Sequence, residues 1–420
     1  MDRYSSAVIP RCGKIALLVT EDWFAVSHFQ PLIAVLRQVA RSVVVITRPS
    51  KHKAKLEELG TRVVPFDFRR GSMDPLGESR SILALSRILR EEQPDAVHLV
   101  ALKAMVLGGL AARLAGSSNI VLHLTGQGLL GISTGPVRRL YREAALRVLA
   151  SLVNKNAYLL VENSHDLATL RRAGAEPGQD FAILGGAGVD PNVFPLMPPP
   201  DNKVPIAAHV GRMVRSKGVD VLMQAFTVLR SRGVRLQLEL YGRSDADNPE
   251  PVPAELLTAW CSRPDAAWCG HVTDVADIWR RTDIFVLASR GGEGLPRAML
   301  EAAACGRPLV VTDVPGNRDF VRNGVEGFLV PPDDPAMLAE ALARLASDAD
   351  LRRTMGMAAR QRVLSGYTES HVQHSVLAAY RSLLGTVHVR SSVSSTADIG
   401  CALAGREALE KPPRSFEPVG

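Results

Sequence analysis

The stretch Ile284-Phe-Val-Leu-Ala-Ser289-Arg-Gly-Gly-Glu293-Gly-Leu-Pro296-Arg-Ala-Met-Leu-Glu301 decides the reading of the fold. Its first five residues are an apolar run too short for a helix, so they read as a buried strand. A glycine-rich turn follows, and Pro296 stands where the first helical position would be. Strand, loop and helix in succession are half of a βαβ unit, whose loops lie where open parallel sheets bind ligands. The amides of Gly294 and Leu295 are thereby expected to face an anion. Eight residues of helix span about 12 Å, so Glu293 and Glu301 cannot share one proton or one metal. They suit two separate hydroxyl-rich groups instead.

Outward from this stretch the same alternation fills the chain. Strands are expected at 14–19, 42–47, 96–100 and 120–124, then at 206–210, 236–240, 308–312 and 327–330. Helical patterns are expected at 219–230, 296–304 and 335–347. Between the halves stand Pro191, Pro195, Pro198, Pro199, Pro200 and Pro205, a density that excludes helix and central strand. The expected architecture is α/β, with two doubly wound Rossmann-like domains facing across a cleft. They occupy 13–190 and 206–367, joined by a proline-rich linker at 191–205. A helix at 368–386 is expected to cross back to the first domain, and 1–12 and 387–420 to lack order.

The composition, 46% hydrophobic and 22% charged, is that of a soluble globular protein. No apolar run reaches the roughly 18 residues of a membrane span, and the start shows no secretory signal. Five scattered cysteines without metal-type spacing are expected as reduced thiols in the cytoplasm. Lys and Arg outnumber Asp and Glu by 24 to 17 in residues 1–195 and balance them at 26 to 26 beyond. A basic first half suits an anionic partner such as a membrane surface or a lipid-linked phosphate. Arg138, Arg139, Arg142 and Arg147 lie opposite Tyr141, Ala145, Val148 and Leu152, a basic amphipathic pattern that suits either an anionic surface or packing on a sheet. An aromatic content of 5% without interleaved basic patches argues against nucleic acid. No Gly-x-Gly-x-x-Gly follows the first strand, which argues against a dinucleotide-dependent dehydrogenase.

A second motif, Ala208-His-Val-Gly211-Arg212-Met-Val-Arg-Ser-Lys217-Gly218, leads from a strand into a helix. A guanidinium, an ammonium and a helix N-terminus together form a diphosphate clamp. Asp245-Ala246-Asp247 mimics a metal-binding Asp-x-Asp but sits in a polar Asn/Pro loop, and no metal is expected.

At these residues the chain resembles family 4 of the retaining glycosyltransferases, which have the GT-B fold. The resemblance continues through Leu300-Glu301-Ala302-Ala303-Ala304-Cys305-Gly306-Arg307-Pro308 and Thr312-Asp313-Val314-Pro315-Gly316-Asn317-Arg318 to Gly324, Gly327 and Leu329-Val330-Pro331-Pro332. It implies a hexosyltransferase that uses a nucleotide-diphosphate sugar, of UDP type, with retention of configuration and neither metal nor cofactor. It implies that Arg212 and Lys217 neutralise the diphosphate, Glu293 holds the sugar and Glu301 the ribose. Gly211, Gly294, Leu295 and Pro296 would surround the donor, with Arg243 and Val272 bordering the base. One departure is visible: the family often has Ser-x-x-Glu, whereas Ser289 and Glu293 enclose three residues.

The first half resembles a narrower group, the bacterial enzymes that extend lipid-linked polysaccharide or glycan precursors, as for capsule and lipopolysaccharide. The stretches concerned are Trp23-Phe-Ala-Val-Ser-His28, Val97-His98 with Lys103, and Leu124-Thr125-Gly126-Gln127-Gly128. The resemblance implies a polyprenyl-diphosphate-linked saccharide acceptor, with His28, Lys103, Thr125 and Gly126 on the acceptor side of the cleft. It also implies a cytoplasmic enzyme, peripheral on the inner membrane. The alternatives are a soluble small-molecule acceptor or a non-catalytic nucleotide-sugar-binding protein. His123 is expected as a core histidine rather than a sugar contact.

Overall fold

The computed structural model describes residues 12–69, 74–132, 135–155, 157–245 and 248–391. One sheet holds β1 (Cys12–Glu21), β2 (Ala40–Arg48), β3 (Arg62–Pro65), β4 (Ala96–Val100), β5 (Ile120–Leu124), β6 (Ala157–Val161) and β7 (Phe181–Ile183) in the order β3-β2-β1-β4-β5-β6-β7. The other holds β8 (Ile206–Val210), β9 (Gln237–Tyr241), β10 (Ala266–Gly270), β11 (Ile284–Leu287), β12 (Leu309–Thr312) and β13 (Gly327–Val330) in the order β10-β9-β8-β11-β12-β13. Pairing is parallel in both. Each sheet therefore reverses its winding once, between β1 and β4 and between β8 and β11. Ligands of doubly wound sheets sit at such switch points, beyond the strands' carboxyl ends.

The central strands are buried along their whole length, as β4, β5, β6 and β11 illustrate. That explains their continuous apolar runs, because helices cover both faces of each sheet. Four strands escape the sequence reading. β3, β7 and β10 are short or half-exposed edge strands with little apolar signal. β6 follows closely on the apolar face of the helix Pro136–Val153 and merges with its pattern.

The proline-rich segment is not a free tether. Phe194 and Met197 are buried against Trp279, Phe285 and Met299, and the Arg307 guanidinium donates to the Pro198 carbonyl at 2.9 Å. Two apolar anchors thus fasten extended chain to the second domain. The last helix, Glu369–Ser391, buries Val372, Val376, Ala379, Tyr380 and Leu384 in the core of the first domain beside Leu32 and Leu36. It runs past residue 386; of the stretches expected to lack order, 1–11 and 392–420 lie outside the described residues. Among the described residues, no helix is long and apolar enough to cross a membrane.

Candidate active site between the two domains

The wall contributed by the second domain starts where β8 ends. Gly211 and Arg212 follow Val210, and a single turn, Arg215–Lys217, leads into the helix Val219–Ser231. Lys217 Nζ lies 2.7 Å from Glu293 Oε1, so the clamp lysine and the loop carboxylate are an ion pair, each about 15% exposed. Ser289 Oγ donates to the same carboxylate oxygen at 2.9 Å. The additional residue in the loop does not break this contact. Gly291 and Gly292 take φ of 121° and 74°, backbone that glycine adopts without strain, and so fold the loop back on itself. Burial alone would raise the Glu293 carboxyl, but Lys217, Ser289 and Arg212 together hold it below the usual carboxylate range. Arg290 anchors the loop's start through a bidentate pair with Asp220 at 2.9 and 2.8 Å.

Arg212 is partly exposed. Its guanidinium pairs with Asp245 at 2.8 Å and lies 5.9 Å from the Trp23 ring across the cleft. Asp245 therefore has a cation for a partner. Pro296 is the N-cap of the helix Arg297–Ala304 rather than its first residue. The side chain of Arg297 pairs with Glu301, one helical turn further on, at 2.9 Å and also donates to the Ser27 carbonyl of the first domain. Burial raises the Glu301 carboxyl, and Arg297 opposes that rise.

The first domain supplies the facing wall from the ends of β1, β4, β5 and β6. Trp23, Phe24 and His28 follow β1, Lys103 follows β4, and Thr125 and Gly126 follow β5. Burial, followed by the positive charges of Arg297, Lys217 and Arg212, pushes the His28 imidazole down to about 3, so it is neutral at ordinary pH. Lys103 pairs with Glu78 at 2.8 Å. These residues and the clamp, with Gly211, Gly294, Leu295, Pro296 and Glu301, line one cavity of about 890 Å³. Arg243 and Val272 do not line it; Thr273 to Ala276 do. A second chamber of about 1190 Å³ also meets Gly291, Gly292 and Glu293, and its lining is of mixed charge, with Arg138, Arg142, Arg147 and Arg172 beside Glu143, Asp166, Glu250 and Asp313.

One backbone group is placed differently from expectation, whereas His123 sits in the core as expected. The Leu295 amide is not open to an anion: it donates to Glu162 Oε2, at the end of β6, at 3.0 Å. His123 is buried behind the wall, 3.4 Å from His98 and edge-on to Phe29, with its Nε2 3.9 Å from Glu162. Glu162, Asn163 and Arg297 are site residues that motif reading passed over. The first two were recognisable as polar residues directly after an apolar pentapeptide strand, the position at which parallel sheets present ligand groups.

Comparison with known proteins accounts for both halves. Residues 204–348 match the family of glycosyl transferases group 1, and residues 14–156 match the glycosyl transferase 4-like family. The N,N'-diacetylbacillosaminyl-diphospho-undecaprenol alpha-1,3-N-acetylgalactosaminyltransferase of Campylobacter jejuni is 26% identical over 377 residues, 86% of this chain and 97% of that one. The UDP-Gal:alpha-D-GlcNAc-diphosphoundecaprenol alpha-1,3-galactosyltransferase of Escherichia coli is 24% identical over 69% of this chain and 76% of its own. In fold, the chain is similar to Anabaena HepE, crystallised with UDP and glucose, with a TM-score of 0.71 at 19% identity over 89% of this chain and 100% of that one. With a domain that matches the group 1 glycosyl transferases behind the clamp and one that matches the 4-like family facing it, the chain is a hexosyltransferase of GT-B fold.

Proposed function

We propose that this glycosyltransferase moves a sugar from a UDP-type donor to a polyprenyl-diphosphate-linked saccharide, with retention of configuration and without a metal. The observation that carries the reading is the Lys217–Glu293 pair, set at the switch point of the second sheet and facing the first domain. Arg212 and Lys217 are two cations aimed at one place, where negative charge grows on the departing diphosphate. Glu293 accepts from hydroxyls of the transferred sugar, and Glu301, beside Arg297, accepts from the ribose. Trp23, His28, Thr125 and Gly126 face the acceptor, and the neutral His28 can accept a hydrogen bond there but is too weak a base to take up a proton. The two relatives named for diphosphoundecaprenol substrates support the lipid-linked acceptor.

Acceptor dependence is the test. Release of UDP from UDP-sugars should require a polyprenyl-diphosphate saccharide, and the product's anomeric configuration, read by NMR, should match the donor's. Equal release with a free sugar as acceptor would overturn the lipid assignment. Absence of release across donors and acceptors would overturn transfer itself.

We further propose that the enzyme works at the cytoplasmic face of the inner membrane. In the helix Pro136–Val153, Val137 and Leu140 are 70% and 66% exposed beside the exposed Arg139, as an interfacial helix requires. The double substitution Val137→Asp, Leu140→Asp is expected to lower co-sedimentation with anionic vesicles roughly tenfold, since it replaces apolar anchors by charges repelled from the surface. Unchanged binding would remove this helix from the interface.

A further inference from the structure

The loop that carries Glu293 belongs to the second domain, yet the first domain holds its shape. Asn163, N-cap of the helix Ser164–Arg172, accepts from the Asp166 amide at 2.8 Å. Its Nδ2 donates to the carbonyls of Gly294 and Glu293 at 3.2 and 3.4 Å. Glu162 accepts the Leu295 amide, and the Gly128 amide donates to the Gly292 carbonyl at 3.0 Å. Gly126, at φ 93°, lies so close that a Cβ would overlap the backbone of the loop. Four successive residues, Gly292 to Leu295, are thus each met by a group from across the cleft, with Glu293 among them.

Glu162 has no need of its own that explains it. It is only 7% exposed, and a buried carboxyl without a cation is costly. The groups facing it are His123 on β5, Asp166 on the following helix, and Glu293 and the Leu295 amide on the loop. Burial pushes His123 down to about 3, so that ring is neutral. Burial, against the pull of the Leu295 amide and with the help of Asp166 and Glu293, raises the Glu162 carboxyl to about 8. At neutral pH it is an uncharged acceptor that stands beside Glu293 without repelling it.

We propose that Glu162 and Asn163 are positioning residues that dock the Glu293 loop onto the first domain, so that Glu293 is set for the donor sugar only when the two domains are closed. Opening the cleft breaks all of these contacts at once, while the Lys217 and Ser289 contacts, internal to the second domain, survive. The inference rests on the reading of Glu293 as the carboxylate that holds the sugar.

Asn163→Ser keeps an N-cap oxygen while removing the amide that reaches the loop and that also donates to Asp166 at 2.9 Å. Its melting temperature and UDP affinity should stay near wild type, while kcat falls about tenfold, the effect of losing two modest hydrogen bonds. Amide hydrogen exchange at Leu295 should quicken. The sign for Glu162 follows from its raised value: the working, protonated form is lost as pH rises through about 8. Wild-type transfer should therefore fall there, and Glu162→Gln, which cannot ionise, should lack that fall. Wild-type kcat and loop exchange in Asn163→Ser would overturn the docking role, as would identical alkaline limbs in wild type and Glu162→Gln. Full transfer by Glu293→Gln would instead sink the sugar-holding reading, whatever Asn163→Ser does.

Discussion

Glu293→Gln is expected to lower sugar transfer by about a thousandfold, the scale of removing an electrostatic group that acts on the transition state, while UDP still binds. Glutamine keeps the size and one acceptor oxygen but removes the charge. In the native site that charge is held ionised by Lys217 at 2.7 Å and Ser289 at 2.9 Å. An ionised carboxylate forms charge-assisted hydrogen bonds to sugar hydroxyls, stronger than a carboxamide's. The substitution leaves both clamp cations, Arg212 and Lys217, in place to hold the diphosphate. Calorimetry should thus find UDP affinity within about threefold of wild type, a difference under 1 kcal/mol. A variant that transfers at more than a tenth of the native rate would remove Glu293 from the chemistry.

Lys217→Ala is expected to act twice. Losing a cation from the diphosphate clamp should cost roughly a hundredfold in kcat/KM, or about 3 kcal/mol. The same change strips Glu293 of its nearest counter-charge in a partly buried site, where breaking a pair costs more than the pair is worth. The Glu293 carboxyl should then rise, because burial, its largest influence, is no longer offset by Lys217. Activity left in the variant should be lost at a higher pH than in wild type as pH falls, since the ionised form is the working one. UDP affinity should drop together with the rate, which distinguishes this variant from Glu293→Gln. If UDP binding proved unchanged, Lys217 would be a partner of Glu293 alone and no part of the clamp.

Much of the second domain was legible because its signals are local. A buried parallel strand writes itself as an apolar pentapeptide, and Gly211-Arg212 or Ser289 to Glu301 follows directly in sequence. The family resemblance added roles to residues already marked by position. The edge strands β3, β7 and β10 were not legible, since half-exposed short strands carry no distinctive pattern. Arg297 carried no signal in the sequence reading, and only its pairing with Glu301 and its reach to Ser27 bring it into the cleft.

The sequence by itself determined that there are two parallel-sheet domains, which loops follow the strands that carry the motifs, and which side chains those loops bear. These follow from periodicity and from residues within about ten positions of one another. Only the tertiary structure decided what fills the space between the domains. The Leu295 amide, expected to face an anion, meets Glu162 from 133 positions away. The glycine that lengthens the Ser289–Glu293 spacing lets the loop approach Gly128 and still return Glu293 to Ser289. No local pattern encodes such contacts, because they arise where two separately folded sheets present their strand ends to each other across the cleft.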